Sequence, residues 1–339
     1  MKIFRRRVFV LMSAMVLMGV LCLLPSGRCE AGLRLKIATL APDGTTWMNV
    51  MKELAKEVSS KTSGKVQLKF YSGGVMGDEG DVIRKMRFGQ LHGGGFTGRG
   101  LGEILPEERV VELPFLFANY NEVDCVQKKL YGHLSQAFAK KGFILLGWAE
   151  AGFVYVFSNR PIRKAADLKG VKMWMWEGDP LAKALFKANG IVPVPLDLPN
   201  VLTSMQTGLI DAVYSTPYAM VAFQWHTRVK YMVKTKLTYA SGAILISKKE
   251  YDKLSSDEKQ ALQNAGATYT KKLNRLTRKE NDDAINVLKK SGIQLVDLKE
   301  DVQTIKQKST SIYTKLAGQL YSKELLDKVM GYRDGCRQK

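Results

Sequence analysis

The sequence predicts an α/β fold of two lobes built on largely parallel sheets. Three observations predict it. The chain has 339 residues, more than one hydrophobic core usually serves even when an N-terminal leader is set aside. Its apolar residues switch repeatedly between a two-residue and a helical period, so strands and helices follow one another. From about Ser247 onward this alternation gives way to a long, highly charged helical stretch.

The leader comes first. Lys2, Arg5, Arg6 and Arg7 precede an unbroken apolar run over residues 8–24, which Pro25, Ser26 and Gly27 end. A basic start, an apolar centre and a small-residue site at Cys29-Glu30-Ala31 make a secretory signal, so residues 1–31 are expected to be removed and the mature chain to reside in the periplasm. The run also reaches the lower limit for spanning a bilayer, which keeps an uncleaved anchor open. Arg28 disfavours lipidation of Cys29, and Arg6-Arg7-Val8-Phe9 fits a twin-arginine signal only loosely. Removing five basic groups and one acid takes the formal charge from +20 to +16. Such a field can steer anionic solutes, an anionic membrane or an acidic partner. Nucleic acid is not an expected partner, because the chain is exported and its Lys and Arg residues scatter over helix faces.

After the leader, residues 33–40 alternate as a strand, residues 41–46 turn, and residues 47–59 place Met48, Met51, Leu54, Ala55 and Val58 at helical spacing. A strand at 66–70, a glycine-rich loop at 72–77 and a helix carrying Val82, Ile83 and Met86 repeat the unit. Further apolar runs fall at 143–148 and 153–157, a strand at 171–176, a helix at 180–188 and a short strand at 192–194. Ser255-Ser256-Asp257-Glu258 caps a charged helix over 259–289, whose Glu280 is expected to pair with neighbouring lysines.

Few residues suggest chemistry. Cys125 and Cys336 are too few for a disulfide framework, although one bridge is open to them. His92, His133 and His226 lack zinc-ligand spacing, so neither a structural metal nor a cofactor is expected. Gly93-Gly94-Gly95-Phe96-Thr97-Gly98 has the spacing of a dinucleotide fingerprint, but it reads as a loop after a helix that ends near Gly89. Close approach of the backbone to a ligand or to the other lobe is the better use for these glycines. No nucleophile elbow, phosphate loop or His-Glu-x-x-His is present in the sequence. The adjacent acids Glu107 and Glu108 diverge on any regular element and read as surface charges.

Several stretches, taken in order, resemble the DctP-type substrate-binding subunits of TRAP transporters. They are Lys36-Ile-Ala-Thr-Leu-Ala-Pro-Asp-Gly-Thr-Thr-Trp47, Leu113-Pro-Phe-Leu-Phe117, Asn159-Arg-Pro-Ile162, Asp167-Leu-Lys-Gly170 and Met205-Gln-Thr-Gly-Leu-Ile-Asp-Ala212, and the likeness runs over about residues 33–297. The resemblance implies a binding protein rather than an enzyme. Its expected fold is a two-lobe periplasmic clamshell with mixed, mainly parallel sheets, crossing hinge strands and a long helix spanning both lobes. Lobe I would be 32–152 with about 241–280, lobe II 153–240 with about 281–330, and 331–339 a tail. The captured solute would pass to TRAP membrane permease subunits of a cation-driven importer.

Members of that family that take carboxylates clamp them with an arginine on the strand after the Leu-Lys-Gly turn, where the planar guanidinium makes two charge-assisted bonds. Here that position is Trp174, and a second arginine found in some members would fall at Val154. The clamp is therefore expected to be missing. Trp174 and Trp176 lie two apart on a strand and share a face, either as an indole platform for a ligand or as core beneath a helix. Other candidate wall residues are Trp47, Thr97, Arg99, Trp148, Phe153, Leu198, Tyr214, Ser215 and Thr216, with Arg99 the cation that could replace the clamp. The expected ligand is a small organic solute with apolar or aromatic surface, and a simple dicarboxylate is disfavoured. Left open are an organic acid held by Arg99, a cation caged by Trp174, Trp176 and Glu177, a sensory or partner-binding protein, and a periplasmic enzyme.

Overall fold

The computed structural model describes residues 32–298 and 302–338; the expected leader, residues 1–31, lies outside the described residues. The first three strands each lead into a helix: β1 (Leu33–Thr39) into Thr46–Lys61, β2 (Val66–Tyr71) into Glu79–Arg87, and β3 (Gly93–Thr97) into Gly98–Ile104. Helix Tyr120–Lys140 then leads to β4 (Phe143–Trp148), and the chain crosses to β5 (Gly152–Ser158) and β6 (Lys172–Trp176). Helix Pro180–Asn189, β7 (Val192–Leu196), β8 (Ala212–Ser215), β9 (Tyr231–Val233) and β10 (Thr238–Ala240) follow. The chain crosses back into β11 (Gly242–Ser247), and helix Ser256–Lys290 then carries it to β12 (Gln294–Val296).

Two sheets result. One has the order β2-β1-β3-β11-β4, and the other β12-β9-β5-β8-β6-β7 with β10 added to β5. Every antiparallel pairing involves β5 or β11, the strands beside the two crossings, and all other pairings are parallel. The crossings run side by side as a hydrogen-bonded ribbon, with the Ala149 amide donating to the Gly242 carbonyl and the Ala151 amide to that of Ala240. Gly152 stands there at φ +108°, where a side chain would be strained and would strike Asn281 and the Tyr120 hydroxyl.

The helix Ser256–Lys290 begins in a reciprocal capping box between Ser255 and Glu258, which satisfies two otherwise orphaned amides. Its buried positions, Leu262, Ala265, Gly266, Thr270, Leu273, Thr277, Asn281, Ala284 and Leu288, recur at three- and four-residue steps. At about 1.5 Å per residue, its 35 residues span roughly 50 Å, enough to pack along both sheets. Leu262 and Leu273 join the core under β1 and β11, whereas Leu288 joins the core containing Trp174 and Trp176. Between them, Asn274 and Asn281 bond the crossing ribbon, through the Glu150 amide and the Trp148 carbonyl in one case and the Ala151 carbonyl in the other. Glu280 does not pair with its lysine neighbours, because it accepts the Thr46 hydroxyl while Lys279 pairs with Asp283.

Two further expectations are corrected. Gly93–Thr97 is not a loop but β3, held between β1 and β11. Residues 331–337 are not a separate tail, since they continue the helix Lys323–Arg337. That helix packs on Tyr120–Lys140, beside the first sheet, and Cys336 is bonded to Cys125 there. Arg337 adds a two-pronged pairing to Glu122 of the same helix.

Candidate functional site

Thr39, Thr97, Trp176 and Ser215 are the last residues of β1, β3, β6 and β8, and all four line one cavity of about 240 Å³ between the two sheets. Carboxyl ends of strands are where open α/β sheets leave a crevice, because the chain departs there in divergent loops. Walls are added by the turn after β1, the 3₁₀ turn Pro106–Glu112, the crossing ribbon and helix Pro180–Asn189.

One wall is aromatic. Trp174 and Trp176 both line the cavity from one face of β6, as their spacing requires. Both are also core, at 2% and 7% exposure, so core packing and cavity lining go together at these residues. The Trp174 indole N–H donates to the Leu196 carbonyl at 2.9 Å, and that of Trp176 to Asp78 Oδ2 at 2.8 Å. Trp174 stacks on Tyr214 with centroids 5.2 Å apart and meets the edge of Trp225 at 5.3 Å, while Phe223 stacks on Trp225. Trp47, in the first turn of helix Thr46–Lys61, lines the same cavity beside Gly95 of the first sheet, where an added Cβ would come within 2.6 Å of the indole.

The second wall holds buried charge. Glu79 accepts the Thr97 amide, the Thr97 hydroxyl and the Gly100 amide at 2.6 to 2.9 Å. Burial nevertheless pushes its carboxyl up to about 8. Arg109, 6% exposed, donates through Nη2 to both oxygens of Asp179 at 3.1 and 3.0 Å and forms an ion pair with Glu112, 3.0 Å from Nη1. Glu112 in turn accepts the amide and hydroxyl of Ser241, at the crossing. Burial opposes the charge of Arg109, but the carboxylates of Asp179, Glu112 and Glu108 outweigh it and raise its pKa. The glycines now have a reason. A Cβ at Gly98, Gly100 or Gly102 would strike Glu112, Glu79 or Arg109 respectively, so these three positions make room for the charged side chains of this wall.

Glu108 overturns the reading of its pair as surface charge. It is fully buried, and among the described residues neither of its oxygens finds a hydrogen-bond partner. Glu107 is the half-exposed member and meets His133 at 3.0 Å. Burial, with the Glu112 charge, pushes Glu108 up to about 8. A carboxyl whose folded pKa lies above its unfolded value of about 4.3 binds more protons when folded, so it stabilises fully below that value and loses the contribution as pH rises toward 8. Glu108→Gln is expected to flatten the fall in stability between pH 5 and about 8.5, read as urea midpoints across that range. A slope identical to the unmodified protein's would contradict a neutral Glu108.

Thr97, Arg99, Leu198, Tyr214, Ser215 and Thr216 also reach the cavity. Arg99, however, is not a free clamp. Its guanidinium is engaged by Glu103 and by the Glu177 carbonyl, the latter at 3.1 Å from Nη2. Trp148 and Phe153 are not among the lining residues. Val154 does line it, and successive residues on a strand face opposite ways, so Phe153 turns instead into Tyr120 and Tyr239. Trp148 packs against the core beside that cluster. Glu177 is exposed and outside the lining, so it does not close a cage on the two tryptophans. Sequence reasoning missed Trp225, Phe223, Arg109, Glu112 and Asp179. Only Asp179 carried a signal, as an N-cap before Pro180; its carboxylate accepts the Leu181 and Ala182 amides. Among the described residues no group of three or more His, Cys, Asp or Glu could hold a metal ion.

Residues 37–319 match the family model DctP, described as bacterial extracellular solute-binding protein, family 7. A solute-binding protein of Verminephrobacter eiseniae is 31% identical over 72% of this chain and 73% of its own. The C4-dicarboxylate-binding periplasmic protein DctP of Rhodobacter capsulatus is 24% identical over 75% of this chain and 76% of its own. The sugar-acid-binding protein DctPAm of Advenella mimigardefordensis, solved with galactonate, superposes with a TM-score of 0.85 at 23% identity, covering 90% of this chain and 99% of that one. That solved structure shares the two-domain α/β architecture of periplasmic binding proteins seen here in the two sheets. The chain belongs to the DctP family of bacterial extracellular solute-binding proteins.

Proposed function

We propose that the chain, exported to the periplasm by residues 1–31, captures a small organic solute with apolar or aromatic surface and delivers it to TRAP membrane permease subunits. Proteins of its family are solute receptors, not enzymes. In this reading lobe I comprises 32–152 with about 241–280 and lobe II 153–240 with about 281–322, the C-terminal helix Lys323–Arg337 returning to lobe I. Closure around a solute excludes water and strengthens each polar contact inside.

The observation that carries the proposal is the make-up of the cavity wall. Trp47, Trp174, Trp176, Tyr214 and Trp225 offer ring surface, whereas the two guanidinium groups, Arg99 and Arg109, already have acceptors within the protein. Relatives named for C4-dicarboxylates and galactonate make an organic acid the competing occupant. Each lost bond between a fork and a charged ligand forfeits roughly 1.5–3 kcal/mol, which weighs against a simple dicarboxylate at Trp174. Ligand released from natively purified protein and identified by mass spectrometry tests the reading, followed by titration of tryptophan fluorescence. Aromatic or apolar solutes are expected to bind at least about tenfold more tightly than succinate or malate, a difference of about 1.4 kcal/mol. The reverse ranking, or a chemically altered ligand, would overturn it.

A further inference from the structure

We propose that Asp179 is a built-in carboxylate that occupies Arg109 and so turns the cleft away from anionic solutes. The inference rests on the proposed binding role of this cavity and concerns its selectivity. The arginine missing from β6 is, in effect, present on another element: Arg109 reaches the same cavity from the 3₁₀ turn Pro106–Glu112. A guanidinium buried there would be a ready carboxylate fork. Asp179 meets it from the opposite sheet's layer, with both oxygens 3.0–3.1 Å from Nη2, much as a solute carboxylate would.

Glu112 plays a different part. It sits three residues from Arg109 on the same turn and is pinned by the amide and hydroxyl of Ser241, so it neutralises the guanidinium from within one lobe. Asp179 is instead fixed by the helix it caps, through the Leu181 and Ala182 amides. Glu108 adds a further buried acid behind the arginine. An incoming carboxylate would therefore have to displace Asp179 and leave a buried anion unpaired, whereas an uncharged solute leaves the pair intact. Rejection by an unpaired buried group is the stronger form of selectivity, because no compensating interaction is offered to the excluded ligand.

The test compares acid and amide versions of one ring, phenylacetate with phenylacetamide and benzoate with benzamide, on the full-length mature protein by isothermal titration. Asp179→Asn removes the charge and keeps an oxygen for the helix cap, and Asp179→Ser serves as a second capping variant should the first fold poorly. The acid-to-amide affinity ratio is expected to rise by about tenfold or more in Asp179→Asn, the size of effect that one new charge-assisted hydrogen bond to the ligand produces. Adding Arg109→Met is expected to return the ratio to that of the unmodified protein. An unchanged ratio, an equal loss for both members of each pair, or a rise that survives Arg109→Met would overturn the proposal. If neither acid nor amide binds any form, the aromatic cleft itself fails and the selectivity inference falls with it.

Discussion

Glu150→Ala is expected to lower the free energy of unfolding by about 3 kcal/mol, because it breaks a buried pair by removing one partner. Glu150 is 2% exposed and stands in the crossing between β4 and β5. Its carboxylate accepts Nε and Nη2 of Arg278 and the Tyr239 hydroxyl, the last at 2.8 Å, while its amide donates to Asn274. Removing it leaves a fully buried tyrosine hydroxyl that accepts from Gln127 but has lost its acceptor, and a partly buried guanidinium held by Asp124 and the Tyr120 ring. Asp124 limits the loss, since it keeps Arg278 paired near solvent. Glu150→Gln retains an acceptor for Tyr239 and is expected to lose less. Urea unfolding followed by circular dichroism reads both variants, and a change below about 1 kcal/mol for the alanine form would contradict the account.

Trp174→Ala should damage stability and binding together. Its indole packs among Tyr214, Trp176 and Trp225 and donates to the Leu196 carbonyl, so truncation leaves a cavity and an unpaired carbonyl. Loss of a buried tryptophan costs about 3–5 kcal/mol where the surroundings cannot collapse. Affinity for the co-purified solute is expected to fall at least about 100-fold, since aromatic anchors dominate such interfaces. Trp174→Phe keeps ring surface without the N–H and should fall between the two. Equilibrium titration and thermal unfolding separate the effects: a variant that unfolds more easily yet binds undiminished would make Trp174 core alone.

What the sequence disclosed followed from local physics. Period-two and helical patterning placed β1, β4, β6 and helix Pro180–Asn189 within a residue or two, and the Ser255–Glu258 box marked the start of the long helix. The shared face of Trp174 and Trp176 was equally local. The remainder depended on partners far along the chain. Gly93–Thr97 looked like a loop because glycines carry no strand preference, and only the close packing of Ile246 and Ile37 on Gly93, Phe96 and Val82 on Gly94, and Trp47 on Gly95 explains them. Glu108 looked exposed and Arg109 went unremarked because nothing adjacent reveals burial, and the Arg109 partner Asp179 is 70 positions away. Arg99 was visible, but not the acceptors that occupy it. The Cys125–Cys336 bond, separated by 211 positions, was equally beyond local reading.

That disulfide has a mechanical consequence. Both cysteines sit on helices packed side by side next to the first sheet, while the chain between them makes the whole second sheet. The second sheet is therefore a covalent loop hung from the first at both ends, and the unfolded chain loses the freedom to spread those ends apart. Because the bond lies within one side of the cleft, the hinge motion proposed at the ribbon would leave it unstrained. A permanent staple there is compatible with the proposed opening and closing of the cleft.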